Sequence, residues 1–130
     1  MRKHSAQTLS YLGAVVCVTA LVLFSNIQEQ MWPFPGIYLI EIALIGLSFA
    51  ALAHIHAKDI ILLLWGLGGA LLAFTVLGAM SIGAYIAPAY LFFLLAAGLK
   101  SWEDAKTLTY GILIHAGAAI LQGAYMFAVI

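Results

Sequence analysis

From Ile60 to Leu99 the chain is an almost unbroken apolar run, too long for one bilayer crossing and uninterrupted by any polar loop. A helix crosses a ~30 Å hydrocarbon core with about 20 apolar residues at ~1.5 Å each. The run must therefore fold back on itself, and the stretch Ser81-Ile82-Gly83-Ala84-Tyr85-Ile86-Ala87-Pro88 is where the residues allow it. Ile60 to Met80 fills one crossing, whereas Tyr85 to Leu99 reaches only about 22 Å, which predicts a turn sunk below the membrane surface. Irregular backbone at that depth has to be buried in protein or face water.

The rest of the chain has the same character. With 65% hydrophobic and 8% charged residues it falls in the range of polytopic membrane proteins and leaves no stretch for a soluble domain. Its formal net charge is zero and its basic residues are scattered, so nucleic acid is excluded as a partner. Cys17 is the single cysteine, which rules out an intramolecular disulfide and a thiolate metal cluster. Arg2 and Lys3 before an apolar stretch have the outline of a signal peptide, but no small-residue cleavage site follows Phe24. The segment reads as a retained first helix.

The sequence predicts an all-α, polytopic transmembrane helix bundle, one domain over 1–130, with spans at about 8–25, 36–56, 60–80, 84–99 and 104–129. In the first span Ser10, Gly13, Ala14, Cys17 and Ala20 form a small face suited to another helix. Trp32-Pro33-Phe34-Pro35 forbids regular helix and suits the headgroup zone. Asp59 is placed to cap the third span, which carries Gly66, Gly69, Ala70 and Ala73 on a second small face. Pro88 lies near the start of the fourth span, and Ser101-Trp102-Glu103-Asp104 matches a capping box for the fifth. With five spans, Arg2, Lys3, Lys58, Lys100 and Lys106 all fall on one side, which predicts a cytoplasmic N-terminus and an external C-terminus. Four spans would put Lys100 and Lys106 outside, against that rule.

Candidate site residues are few. Glu41 is the only acidic residue well inside a span, and it shares a stripe with Tyr38 and Ser48. An intramembrane carboxylate is costly and marks either function or a polar partner, although this one is also close enough to the outer interface to snorkel. On the fifth span Thr107, Gly111, His115, Ala118, Gln122 and Tyr125 make an inward seam opposite Leu113, Ile120 and Phe127. His115 and Gln122 either hydrogen-bond a neighbouring helix or, with Glu41, Tyr38, Ser81 and Tyr85, line an outward-facing pocket. The geometry favours the Glu41 carboxylate reaching the turn at 81–88, where orphan N–H groups and the helix dipole attract an anion. No catalytic motif is present, His4, His54, His56 and His115 match no zinc spacing, and no cofactor is implied. Haem held between His54 and His115 would need the two at one depth, and rise per residue sets them about 10 Å or more apart.

Ser81-Ile82-Gly83, a tyrosine, Pro88-Ala89 and the Leu/Phe/Ala-rich helix after them resemble a segment of small, mostly uncharacterised bacterial multi-spanning membrane proteins. The resemblance implies a bacterial inner membrane and carries over no activity or site residue. The expected partners are the lipid bilayer and either further copies of the chain or a larger membrane complex. The leading expectation is a non-catalytic accessory or self-associating bundle. A transporter-like or ligand-binding protein built on Glu41 comes second, and a lipid-modifying or haem-binding protein third.

Overall fold

A computed structural model of the protein describes residues 2–27, 36–55, 57–78, 82–102 and 104–129. Trp32 to Pro35, His56, Ser81 and Glu103 lie outside the described residues. The described chain is all helical: α1 (Arg2–Ile27), α2 (Gly36–Leu52), α3 (Lys58–Leu77), α4 (Ile82–Ser101) and α5 (Ala105–Val129). Four helices, α1, α3, α4 and α5, are long and apolar enough to cross a membrane. At 17 residues, or about 25 Å, α2 is the short one.

Consecutive helices run antiparallel. One end of the bundle therefore holds the starts of α1, α3 and α5 and the finishes of α2 and α4, and we call it the basic end because Lys58, Lys100 and Lys106 lie there. The helices α1 to α4 close a ring in which α1 packs on α2 and α4, and α3 packs on α4 and more lightly on α2. The fifth helix lies outside the ring, parallel to α3 and packed mainly on it.

Small residues decide each crossing. Ser10, Gly13, Ala14, Cys17 and Ala20 are all buried, and this α1 face meets two helices rather than one. A Cβ on Gly46 of α2 would stand 2.7 Å from that of Cys17, so α1 and α2 approach closely at the cysteine. Gly13 leaves room for the ring of Phe93 from α4, which stacks on Phe49 of α2 with centroids 4.2 Å apart and planes at 15°. Both rings are fully buried and form the centre of the ring of four helices. On the other side, a Cβ at Gly69 of α3 would overlap the backbone carbonyl of His115 in α5, and one at Gly111 of α5 would overlap the indole of Trp65. Glycine at 69 lets α3 and α5 approach backbone to backbone and glycine at 111 leaves room for the Trp65 indole, the close approach that small residues permit between apolar helices.

The turns differ in detail from the sequence expectation. The third helix starts at Lys58 behind Ala57, whose side chain can make no cap, and Asp59 sits in the first turn instead of capping it. The fifth helix is capped by Asp104, not Ser101: the Asp104 carboxylate accepts from the Lys106 N–H at 3.1 Å and from the Thr107 hydroxyl at 2.7 Å. The bond from Lys106 satisfies a backbone donor that a helix start leaves open, which Ser101, as the last residue of α4, is too early to do. The Thr107 hydroxyl first, and then Lys58 at 3.2 Å, hold the Asp104 carboxyl down at about 2. Because its value is depressed, any stabilisation from this cap is present above the ordinary carboxylate range and disappears as pH falls through about 2.

The third helix ends at Leu77, earlier than expected, and the fourth begins at Ile82. The Gly83 N–H, one of the open donors of α4, goes to the Gly78 carbonyl at 2.7 Å. No Cβ fits at Gly83, where the carbonyls of Thr75 and Gly78 come too close. Pro88 falls in the second turn of α4 rather than the first, so the carbonyl of Ala84 loses its intrahelical donor on an exposed face.

Candidate functional site

At the end of the bundle away from the basic residues, α2 and α5 come together through long side chains. Tyr38 and Glu41 lie one turn apart on α2, and Gln122 and Met126 one turn apart on α5. The Gln122 amide donates to the Glu41 carboxylate at 3.2 Å, and the Tyr38 hydroxyl points to the Met126 carbonyl at 3.5 Å. All three polar side chains are half-buried. The Tyr38 ring packs edge-on to Phe74 of α3 with centroids 5.7 Å apart, which closes the third side of the cluster. Extended antiparallel to α5, α2 can offer this contact only because residues 38 and 41 are at its start and residues 122 and 126 near the end of α5.

The structure thus brings together Tyr38, Glu41 and Gln122. Tyr85 is elsewhere, with its ring edge-on to Phe24 of α1 at 5.9 Å. Ser81 is outside the described residues, Ser48 is exposed, and Tyr125 is exposed at the margin of the α5 seam instead of inside it. The hydrogen bond described for Glu41 runs to α5 and not to the turn before α4, whose Gly83 N–H is taken by the Gly78 carbonyl. Two glycines let the carbonyl of Gly78 reach the Gly83 N–H, so that donor of the α4 start is taken within the chain.

His115 belongs to a separate network nearer mid-bundle. Its Nδ1 is 3.1 Å from the Trp65 carbonyl and its Nε2 is 2.9 Å from the Tyr90 hydroxyl. A carbonyl can only accept, so Nδ1 carries the hydrogen and Nε2 accepts from Tyr90. One imidazole so ties α5 to both α3 and α4. His54 is bonded to the Tyr11 hydroxyl at the basic end, and the two histidines serve different helix pairs.

The basic end holds contacts that residue patterns do not reveal. Lys100, which is buried, donates to the Ala53 carbonyl at 2.6 Å, just past the last turn of α2. The carbonyls at a helix finish carry partial negative charge, and an ammonium there is favourable. Ser101, also buried, donates to the Ala97 carbonyl at 2.8 Å and accepts from the Trp65 indole at 3.3 Å. A lysine in the final turn of α4 suggests help for its own helix, and nothing in the local sequence says that it reaches α2.

The described residues form a helix bundle in which four helices are long and apolar enough to cross a membrane and polar groups are tied to one another across helix pairs. Compared with family models, curated proteins and solved structures, the chain matches none of them.

Proposed function

We propose that the protein is a five-span protein of a bacterial inner membrane, N-terminus inside and C-terminus outside, that acts without catalysis as an accessory or self-associating bundle. Support for the orientation is the gathering of Lys58, Lys100 and Lys106 at one end, the pattern of cytoplasmic loops. A reporter joined after Ile130 is expected to be active outside the cytoplasm and one inserted after Ser101 inside. A cytoplasmic C-terminus would remove the five-span reading.

The observation that carries the association reading is Gly117. A Cβ there would meet nothing within 4 Å, so unlike Gly69 and Gly111 it serves no packing inside the bundle. It begins an outward stripe with Leu121, Ala124 and Ala128, and α5 carries this stripe outside the ring of four helices. Small residues on an outward stripe allow a further helix to approach closely. Sedimentation of the protein extracted in a mild detergent is expected to show either a homo-oligomer or a larger membrane partner, and Gly117→Leu to release the monomer. A wild-type chain that sediments alone as a monomer would contradict this reading.

A second reading, a ligand-binding or transporter-like protein, draws its support from the pairing of Glu41 with Gln122. A carboxylate placed in a span is expensive to retain, and its neutral partner leaves its charge uncompensated.

A further inference from the structure

A groove of about 510 Å³ runs between α1 and α2, lined by these two helices and by His54 just past the finish of α2. Buried Ala14 and Ala50 make it deep, and Val15 and Leu47, each more than half exposed, stand at its sides. It follows α1 from Tyr11 to Thr19, about 12 Å. Volume over length gives a cross-section of about 40 Å², roughly half that of a helix ~10 Å across with its side chains. A further helix is too wide to enter, and a hydrocarbon chain is not. The lining is apolar except at its ends. At one end the Thr19 hydroxyl is turned back onto the Val15 carbonyl of its own helix. The other, at the basic end of the bundle, is closed by Tyr11 and His54, which are bonded to each other.

That pair holds more hydrogen than its own bond uses. The tyrosine hydroxyl carries one hydrogen and a neutral imidazole another, and a single bond joins the two side chains, so one donor remains in either tautomer. A positive charge lies close by: the buried Lys100 ammonium donates to the Ala53 carbonyl, on the peptide bond that leads into His54. It offsets the partial negative charge that the finish of α2 would otherwise turn toward an anion. A spare donor beside a fixed cation suits a negative oxygen, and the groove suits a hydrocarbon chain attached to it. We infer that the α1–α2 groove is a binding site for an anionic phospholipid, with an acyl chain between Val15 and Leu47 and a phosphate oxygen on the Tyr11–His54 pair. The proposed orientation puts this end at the cytoplasmic leaflet. The inference rests on the membrane-spanning reading and is independent of how the bundle associates.

Native mass spectrometry of the protein extracted in a mild detergent and titrated with phosphatidylglycerol or phosphatidylcholine tests it. One phosphatidylglycerol per chain is expected to be retained, in about fivefold preference to phosphatidylcholine, whose choline cancels the charge of its phosphate. Ala51→Phe, which puts a ring into the groove from an exposed position, should weaken phosphatidylglycerol binding about tenfold or more, and Tyr11→Phe together with His54→Leu about tenfold. Both variants change exposed side chains, so their unfolding midpoints should stay near the parent's. Should either fail to fold, phosphatidylglycerol with a diazirine on its acyl chain should label the wild-type protein at residues 11–19 and 47–54 ahead of the exposed faces of α3, α4 and α5. Equal retention of the two lipids, undiminished binding by Ala51→Phe or by the double variant, or label spread evenly over the exposed helices would each overturn the inference. A chain that leaves the membrane in alkaline carbonate would overturn the membrane-spanning reading as well. One that stays there and shows no preference for phosphatidylglycerol overturns the inference alone.

Discussion

Gly69→Leu is expected to displace α5 from the bundle, lowering stability by about 3 kcal/mol. A side chain at residue 69 meets the carbonyl oxygen, carbonyl carbon and Cα of His115, all backbone atoms of a neighbouring helix. A flexible side chain could swing aside, but a helix backbone can yield only by moving the whole helix. Moving α5 also breaks the bonds from His115 to Trp65 and Tyr90 and from Gln122 to Glu41. Reversible unfolding in mixed micelles, with increasing dodecyl sulfate, measures the loss. Gly98→Leu is the matched control, because a Cβ at Gly98 meets nothing within 4 Å, and it should change stability by no more than about 0.5 kcal/mol. Equal effects from the two substitutions would mean that α3 and α5 do not approach at Gly69.

The second large effect is expected at the stacked pair in the ring of four helices. Phe93 is fully buried against Phe49 and above Gly13, so Phe93→Ala leaves a cavity walled by three helices. In a water-soluble core the same change costs about 3 to 5 kcal/mol, part of it from transfer of the ring out of water. On the membrane-spanning reading proposed above, lipid tails are as apolar as the protein interior, so the transfer part largely disappears and the lost packing remains. The expected cost is about 2 kcal/mol in the same unfolding assay. Phe127→Ala, which removes a ring that is 71% exposed, should cost less than about 0.5 kcal/mol. If Phe127 matters more than Phe93, the inward and outward faces have been interchanged.

These two expectations separate what α5 and the ring of four contribute. The bundle of α1 to α4 is held by interlocked rings and small residues, and its loss of packing is local. The seat of α5 is a backbone contact, so a single added side chain acts along the whole helix. The outward stripe at Gly117, the Glu41–Gln122 pair and the His115 network all depend on that seat.

Much of this was legible in the residues themselves. Hydrophobic length and the small faces determined the helical class, the number of helices and the inward sides of α1, α3 and α5, because in a membrane both length and close approach are set by side-chain size and polarity. Glu41 and Gln122 could be singled out as the polar positions of their helices for the same reason. What the tertiary structure alone decided was which helices meet. The placement of α5 outside the ring and beside α3, the turn that satisfies Gly83 from Gly78, the reach of Lys100 to the finish of α2 and the hand-over of the α5 cap to Asp104 all join residues from separate helices or from one turn's exact path. Periodicity says which side of a helix is buried and is silent on what it is buried against. A hydrogen bond between α2 and α5 depends on the position of two helix axes, and that position is settled by every glycine and ring between them.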